Sequence, residues 1–520
     1  MSQMLKSSGA MGAATLTSRV LGMLREVVYA RFMGDGWVAG AFVLAFMIPN
    51  LFRRLLGEGA LTAAFVPMFK DKERNAGEAE MWRCANAVIS ALLVVTGCLV
   101  VAGVAGVSLW ILVCEPEGKA LLMLRLLRVM FPYLLLVCLA AVWMAMLNAR
   151  GHFFIPAMGA TMLNVVMIGS VLLVAPRWGR TLPEQIFALA VGVLVAGIIQ
   201  AAFQLPTLAK EGFRYRWVTP WREETVRDVA RKMIPGTIGV AAFQINVLVT
   251  QGIAFQVGDT IVASFNYAVR LMELPQGVFG ISLATFLLPA LSGLAAEKDF
   301  KGFRSTLAQG LGYLVCVNLL ASVLLVVQAE PIIRLLFERG AFGADATQRA
   351  GVALACLAPG LLAFSVVNVL ARAFYALGDT TTPMKISIVC LALNLMWVLW
   401  LIGPFKQAGL GVANTLSAAV NVVLLGYALK RKLPKLEFAD LLGPLLKLLL
   451  PAAVAGLIAW GGTTAWLRVW GSEGMLHRLG AVFAPMILAT AAYAGLALAL
   501  KVPAAREVFE LTRGRGPTQR

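Results

Sequence analysis

Charged residues are scarce in this sequence: Asp, Glu, Lys and Arg make up 14% of its 520 residues, and 60% are hydrophobic. A soluble globular chain carries about 25% charged residues. Histidine occurs only twice, and the seven cysteines form no C-x-x-C pair, which argues against a metal site or a disulfide framework. The motif G-x-x-x-x-G-K-[ST] is absent, which argues against an ATP-driven pump.

Long apolar runs dominate what is present. Residues 85–114, 155–176, 186–204 and 479–500 are each long enough to cross a hydrocarbon core about 30 Å thick. The sequence therefore predicts an all-α polytopic membrane protein. We expect about fourteen transmembrane helices, at residues 8–33, 37–60, 83–113, 120–149, 155–176, 184–206, 226–255, 260–294, 304–328, 346–377, 384–403, 409–430, 440–467 and 478–501.

Little sequence remains outside these helices. No connecting loop exceeds about 30 residues, which is too short for a soluble catalytic domain. The first apolar segment contains charges and lacks a small-residue cleavage site, so no cleavable signal peptide is expected.

Lysine and arginine are concentrated in alternate loops. They cluster after helices 2, 6, 8 and 12, whereas the QVGD loop between helices 7 and 8 has none. Cytoplasmic loops carry an excess of these residues, so we expect both termini in the cytoplasm. Much of the net charge of +18 then reflects topology, and nucleic-acid binding is not favoured.

The chain contains an internal repeat. The pattern Gly-Asp-x-x-Val-Ala at 34–39 recurs at 258–263, and Pro132 and Gly151 recur as Pro359 and Gly378, offset by 227 residues. The offset covers six helices, an even number, so the repeats are parallel. Two such lobes indicate an alternating-access transporter with its site between them, although a duplicated structural protein would share the pattern.

These repeats define the expected domains. We expect an N-lobe of helices 1–6, a C-lobe of helices 7–12, the two C-terminal helices 13 and 14, and a basic cytoplasmic tail, at residues 1–208, 209–435, 436–503 and 504–520.

Helix 1 carries a polar stripe. At about 100° per residue, one arc of roughly 120° collects Thr15, Ser18, Arg19, Gly22, Arg25, Glu26 and Tyr29. Ionisable groups inside a membrane face the protein interior or water, so we expect this stripe to line a wet cavity. Arg31, at the far end of the helix, is expected to be an interface anchor.

Helices 2, 8 and 10 add polar groups to the same expected cavity. These residues are Asn50, Arg53, Arg54, Gly57 and Glu58, then Asn266, Arg270, Glu273 and Gly277, and finally Arg372. Two alternatives stay open for helix 2: Arg54 could pair with Glu58, or Arg53 and Arg54 could snorkel to the interface.

An arginine-rich cavity favours an anionic ligand. Arginine suits planar, bidentate contact with phosphate or carboxylate, so a phosphate-bearing substrate fits. If that substrate also has a lipid tail, the two additional helices could provide an apolar groove for it.

Five motifs resemble the MurJ (MviN) family of lipid II flippases, within the superfamily of multidrug, oligosaccharidyl-lipid and polysaccharide exporters. They are SRVLGMLRE (18–26), FMIPNLFRRLLGEGALTAAFVPMF (46–69), YAVRLMELPQGVFGISLATFLLPALS (267–292), LLFERGAF (335–342) and RAFYALGDTTTPMKI (372–386). The resemblance covers nearly the whole chain.

The resemblance implies a function and a site. The family moves lipid II, an undecaprenyl-pyrophosphate-linked peptidoglycan precursor, from the cytoplasmic to the periplasmic leaflet of the bacterial inner membrane. No bond is made or broken, so the chain is expected to be a transporter, without a cofactor, acting on lipid II among membrane lipids and possible cell-wall synthesis proteins. The substrate-binding positions carried over are Ser18, Arg19, Arg25, Glu26, Arg53, Arg54 and Arg270.

The sequence departs from the family at three positions. Many members have Asp at the position of Gly40, Lys or Arg at Met47, and Asp at Val269. Some members bind sodium, but helices 7 and 11 offer only amides there, Gln244, Asn246 and Asn394, so no metal ion is expected.

Three rivals remain. A flippase for another undecaprenyl-linked glycan, such as O-antigen, would share the architecture. A cationic drug exporter would need acidic cavity residues. A cell-wall scaffold would tolerate loss of the arginines. The energy source and the oligomeric state do not follow from the sequence.

Overall fold

The computed structural model describes residues 2–56, 60–433 and 438–512. These ranges are almost entirely helical and contain no strand; an isolated β-bridge joins Arg339 to Phe342. The prediction of an all-α fold is confirmed. Gly57, Glu58 and residues 513–520 of the expected basic tail lie outside the described residues.

The chain divides into two compact units, residues 1–263 and 264–520. Helices of the first unit are α1 (Ser2–Met33), α2 (Trp37–Leu56), α3 (Ala60–Asn75), α4 (Glu78–Cys114), α5 (Gly118–Met130), α6 (Tyr133–Ala149), α7 (Phe154–Gly169), α8 (Ala175–Trp178), α9 (Leu182–Ala202), α10 (Leu205–Lys210) and α11 (Glu224–Val257). A π-helical turn, Ser170–Val174, joins α7 to α8.

The second unit begins within α12. Its helices are α12 (Ile261–Pro275), α13 (Ser282–Ala296), α14 (Phe300–Val327), α15 (Ala329–Phe337), α16 (Ala344–Leu357), α17 (Gly360–Ala376), α18 (Thr381–Lys432), α19 (Phe438–Trp470), α20 (Met475–Ala499) and α21 (Pro503–Thr512). A second π-helical turn, Gln276–Ile281, follows Pro275 and joins α12 to α13.

The chain is a multi-pass membrane protein. Among the described residues, ten helices are long and apolar enough to cross a membrane, and two bent pairs raise this number to twelve. The difference from the predicted fourteen has two sources. The charged helix α1 is not in this set, and α18 covers both predicted helices 11 and 12 across a kink at Lys406, where φ is 50°.

The sequence repeat has a counterpart in each unit. In the first unit α5 and α6 meet at an angle of 43°, and in the second α16 and α17 meet at 42°. The second helix of each pair begins directly after a repeated proline, Pro132 or Pro359. Proline removes a backbone donor and disrupts the preceding helical turn. Each pair then ends at a repeated glycine with positive φ, Gly151 at 86° and Gly378 at 75°, where the absence of a Cβ permits a tight turn.

The boundary between the compact units differs from the boundary between the expected lobes. Helix α11, which the repeat places at the start of the second lobe, packs against α2, α3 and α4 in the first unit. The sequence repeat and the compactness of the fold divide the chain by different criteria, so the division into two lobes stays a prediction.

One arginine joins several helix ends in the first unit. Arg150, which follows α6, binds Glu73 at the end of α3, Glu78 at the start of α4 (3.1 Å) and Glu211 after α10 (2.8 Å). His152 Nε2 lies 2.9 Å from the second oxygen of Glu211. Hydrogen bonds from His152 and Arg150 lower the pKa of Glu211, and those from Lys70 and Arg150 lower the pKa of Glu73.

At the position of the second unit that matches His152, the repeat has an acidic residue. Asp379, offset by 227 residues from His152, pairs with Lys432 at the end of α18. The same carboxylate accepts hydrogen bonds from the backbone N–H groups of Thr381 and Thr382, each at 3.0 Å, and so caps α18. These bonds outweigh burial and lower the pKa of Asp379.

Replacing Arg150 with glutamine should destabilise the first unit, because three carboxylates would lose their shared cation. Charge-assisted hydrogen bonds contribute about 1.5–3 kcal/mol, and partial exposure places the expected loss near the lower end of that range. Thermal unfolding of the purified protein in detergent measures the effect. The exposed Arg180 is the matched control, and an equal loss for Arg180→Gln would contradict a specific role for Arg150.

The same ion pairs should make stability depend on pH. Because the folded pKa values of Glu73 and Glu211 are lowered, their contribution is complete above the usual glutamate pKa of about 4.3. It is lost as the pH falls through the lowered values. The melting temperature of the wild type should therefore drop more steeply on acidification than that of Arg150→Gln. Parallel pH profiles would count against these pairs as the source.

Candidate functional site

Arg25 lies in a largely buried site on α1. Its side chain is 15% exposed, and Nη2 donates to Glu26 Oε1 at 2.5 Å. The guanidinium also lies over the ring of Tyr29, 5.5 Å from its centroid. The Nε atom is buried and has no hydrogen-bond acceptor among the described residues. An arginine held in this way retains unused donor capacity for an anion.

A row of aromatic rings supports this site and was not predicted from the sequence. Tyr29 packs edge-on against Phe42 (5.9 Å), Phe42 is parallel to Phe46 (6.3 Å), and Phe46 contacts Tyr133 on α6 (5.9 Å). The i, i+4 spacing of Phe42 and Phe46 on α2 was the available signal. The row links α1, α2 and α6 next to Arg25.

The opposite end of the polar stripe packs against α7. Asn164 Nδ2 donates to the backbone carbonyl of Ser18 at 3.1 Å. A Cβ at Gly22 would lie 3.7 Å from the same amide nitrogen. Two small residues, Ser18 and Gly22, therefore let α7 approach α1 closely.

The expectation that the whole stripe faces water is wrong for part of it. Glu26 and Tyr29 are only 4% and 7% exposed, whereas Arg19 is exposed. Val20 and Leu24, on the apolar side, are 60% and 46% exposed, as expected for lipid-facing positions. Glu26 is buried because it neutralises Arg25, and Tyr29 because it packs against Phe42.

Helix α2 presents its arginines after a proline. Pro49 lies within the helix, and Arg53 Nε donates to Asn50 Oδ1 at 2.8 Å. Arg53 and Arg54 are both partly buried. The alternative pairing of Arg54 with Glu58 falls outside the described residues and stays a prediction.

Helix α12 carries Arg270 one turn before a break. Arg270 Nη1 donates to Glu273 Oε2 at 2.8 Å, with the two side chains 36% and 47% exposed. An ion pair this exposed contributes little to stability. In the same unit, Arg372 on α17 lies over the ring of Tyr375 at 5.7 Å.

The structure places the predicted site residues in two groups. Arg270 belongs to the second unit. The first unit contains the other six, Ser18, Arg19, Arg25, Glu26, Arg53 and Arg54. Their assignment to a substrate stays a prediction.

Comparison with known proteins identifies the family. The family model described as lipid II flippase MurJ matches residues 29–480. A probable lipid II flippase MurJ from Bdellovibrio bacteriovorus is 33% identical over 510 residues, covering 96% of this chain and 95% of that protein. The chain belongs to the lipid II flippase MurJ family. A probable MurJ from Vibrio cholerae is 34% identical over 436 residues, covering 81% of this chain and 82% of that protein.

Solved structures agree with this fold. The MurJ family is represented by a structure described as lipid II flippase MurJ in an inward closed conformation, with a TM-score of 0.77 at 21% identity, covering 96% of this chain and 99% of that chain. An inward-facing multidrug resistance transporter of the MATE family has a TM-score of 0.66 at 14% identity, covering 80% and 96%. At these identities the likeness concerns the fold alone.

The departure at Gly40 lies at a packed but unstrained position. A Cβ there would lie 3.6 Å from Val262 Cβ, 3.7 Å from Phe255 Cδ2 and 3.8 Å from the carbonyl oxygen of Asp259. All four residues belong to the first unit. These are ordinary van der Waals distances, so a methyl group fits without displacement.

We expect Gly40→Ala to be tolerated and to raise stability by about 0.5–1 kcal/mol, because alanine loses less backbone entropy in a helix. Gly197→Ala is the contrasting variant, since its Cβ would lie 2.8 Å from the Tyr133 ring and 3.0 Å from Leu136 Cβ. Overpacking of this kind costs about 1–3 kcal/mol. Melting temperatures of the two variants in detergent provide the comparison. A loss at Gly40 as large as that at Gly197 would refute the fit.

Proposed function

We propose that this chain is a lipid II flippase, which moves the lipid-linked peptidoglycan precursor from the cytoplasmic to the periplasmic leaflet by alternating access. Family membership across residues 29–480 carries the proposal. Relatives at 33% and 34% identity over most of their length are themselves named as probable lipid II flippases.

The unused donor of Arg25 suits the pyrophosphate of this substrate. Arg25 has a buried Nε without an acceptor among the described residues, and the partner of its Nη2 is one carboxylate, Glu26. A pyrophosphate would accept several hydrogen bonds from guanidinium groups at once. In our proposal Arg25 and Arg270 contact the pyrophosphate, while Arg19, Arg53 and Arg54 add positive charge and Ser18 and Glu26 shape the site.

Transport requires no change in covalent bonds. The hydrophilic head group crosses between leaflets while the undecaprenyl chain stays in lipid. We place both termini on the cytoplasmic side of the inner membrane, because the basic loops cluster on that side. This orientation also places residues 73–78, 150–152 and 211, which form the Arg150 cluster, in the cytoplasm.

Loss of either proposed pyrophosphate contact should strongly reduce transport. Removing one charge-assisted contact costs about 1.5–3 kcal/mol, roughly a ten- to hundred-fold loss of transport. The experiment depletes a bacterium of its own lipid II flippase, expresses this chain, and measures outer-leaflet exposure of labelled lipid II. Wild type should restore exposure, and Arg25→Ala and Arg270→Ala should not, at equal membrane protein levels.

Arg31→Ala is the matched control, because Arg31 is exposed in the last turn of the same helix as Arg25. It should restore exposure as wild type does. Normal exposure with Arg25→Ala would contradict the proposed arginine site. Failure of a well-expressed wild type would contradict lipid II as the substrate, and restored export of another undecaprenyl-linked glycan would identify the rival.

A further inference from the structure

The connection between α10 and α11 lies along the start of α4. Its residues 212–223, here called the strap, begin with a turn at Gly212 and form no helix or strand except a short 3-10 turn at Pro220–Arg222. Two buried polar residues of α4 hold it. Asn86 Nδ2 donates to the carbonyl of Arg214 at 3.0 Å, and Ser90 Oγ lies 3.2 Å from the Tyr215 hydroxyl.

Both ends of the strap are fixed. Phe213 is buried and its ring packs 5.5 Å from that of Trp82 on α4. Near the other end, Pro220 is buried, and Glu223 Oε1 accepts a hydrogen bond from Arg83 Nη2 at 2.6 Å. The strap is therefore a built element with a defined outer face.

That outer face combines aromatic rings with arginines. Tyr215, Trp217 and Trp221 are 45%, 56% and 65% exposed. Three arginines adjacent to them in the sequence, Arg214, Arg216 and Arg222, are also exposed.

The charge of this face is not compensated within the described residues. Glu211, just before the strap, is bound by Arg150 and His152, and Glu223 is bound by Arg83. None of the three strap arginines forms an ion pair with a described residue. From the sequence alone, these arginines indicated only the membrane topology, because a sequence does not show that the neighbouring acids, Glu211 and Glu223, are already paired.

The strap lies where α4 enters the membrane. Beyond Ser90, residues 91–114 of α4 contain no charged side chain, a run long enough for a hydrocarbon core of about 30 Å. The charge-free run of α4 begins at Cys84, so the two strap contacts, Asn86 and Ser90, lie in its first turns, near the start of the apolar region. Tryptophan and tyrosine favour this boundary, and basic residues there attract anionic lipids.

We propose that the strap binds the acidic head groups of phospholipids in the adjacent leaflet. The aromatic rings lie among the head groups and glycerol backbones, and Arg214, Arg216 and Arg222 contact the phosphates. Exposed tryptophans at the membrane boundary favour a lipid surface over a protein partner as the occupant. This inference does not depend on the identity of the transported substrate.

Bromine quenching of tryptophan fluorescence tests the proposal. The full-length protein is reconstituted in vesicles of phosphatidylglycerol and phosphatidylcholine in equal amounts, with bromine on the acyl chains of one lipid or the other. The fluorescence of the wild type minus that of W217F/W221F gives the signal of the two strap tryptophans. We expect brominated phosphatidylglycerol to quench this difference signal at least about two-fold more than brominated phosphatidylcholine, and high salt to reduce the ratio.

Charge variants complete the test, each measured with and without W217F/W221F. The double variant Arg214→Gln with Arg216→Gln should bring the ratio of quenching by brominated phosphatidylglycerol to quenching by brominated phosphatidylcholine close to one. Lysine at both positions keeps the positive charge and should retain the preference for phosphatidylglycerol. This result would show that the glutamine variant loses the preference through its lost charge and not through misfolding. Arg177→Gln with Arg180→Gln, two exposed arginines before α9, removes equal charge elsewhere and should leave the ratio unchanged. Equal quenching by both lipids in the wild type, or an unchanged ratio in the glutamine variant, would overturn the proposal.

Discussion

The cost of placing charge inside a membrane determines the arrangement of α1. An arginine at the centre of a membrane helix costs several kcal/mol unless it is paired or hydrated. Arg25 meets this constraint with Glu26 at 2.5 Å and the face of Tyr29 at 5.5 Å. Tyr29 in turn is positioned by Phe42. The packing of α1 on α2 therefore supports the charge, and the site depends on that packing.

Without a ligand, Glu26 satisfies only part of the hydrogen-bonding capacity of Arg25. One carboxylate occupies one Nη atom, which leaves the buried Nε with an unmet hydrogen bond. Leaving a buried donor unsatisfied costs about 1–3 kcal/mol. A ligand phosphate that accepted this bond would recover that cost on binding. The buried Nε therefore explains why an arginine, rather than a lysine, serves at this position in our proposal.

Much of the fold was predictable from the sequence, because hydrophobic length and the repeat act over many residues. The helices followed from apolar runs, whereas the bends at Pro132 and Pro359 were not predicted, because the repeated prolines were used only to define the repeat. Burial of individual polar residues was not predictable. A helical wheel shows that Glu26 and Tyr29 share a face with Arg25, but it does not show what packs against that face. A break between residues 403 and 409 was predicted, but the positive φ of Lys406 within it was not, since that residue is neither glycine nor proline.

The site was predictable only as a set of residue types. Sequence alone selected the arginines, whereas the aromatic row and the contact of Asn164 with Ser18 depend on three-dimensional packing between distant segments. The strap illustrates the same limit. From the sequence, its arginines indicated only topology. The structure adds that the nearby acids, Glu211 and Glu223, are already paired with other residues.

An ion pair lies near each end of α4. At its start, the 57% exposed Glu78 joins the Arg150 cluster, in which Arg150, Glu73 and Glu211 are all less than 25% exposed. Beyond its other end, Lys119 binds Asp259 at 2.8 Å, but that aspartate is 61% exposed. Exposed pairs contribute about 1 kcal/mol or less. The pairs made by the two exposed carboxylates, Glu78 and Asp259, are therefore weak. The firm contacts of the cluster are those of Arg150 with Glu73 and Glu211, which join the ends of α3 and α10 to the end of α6.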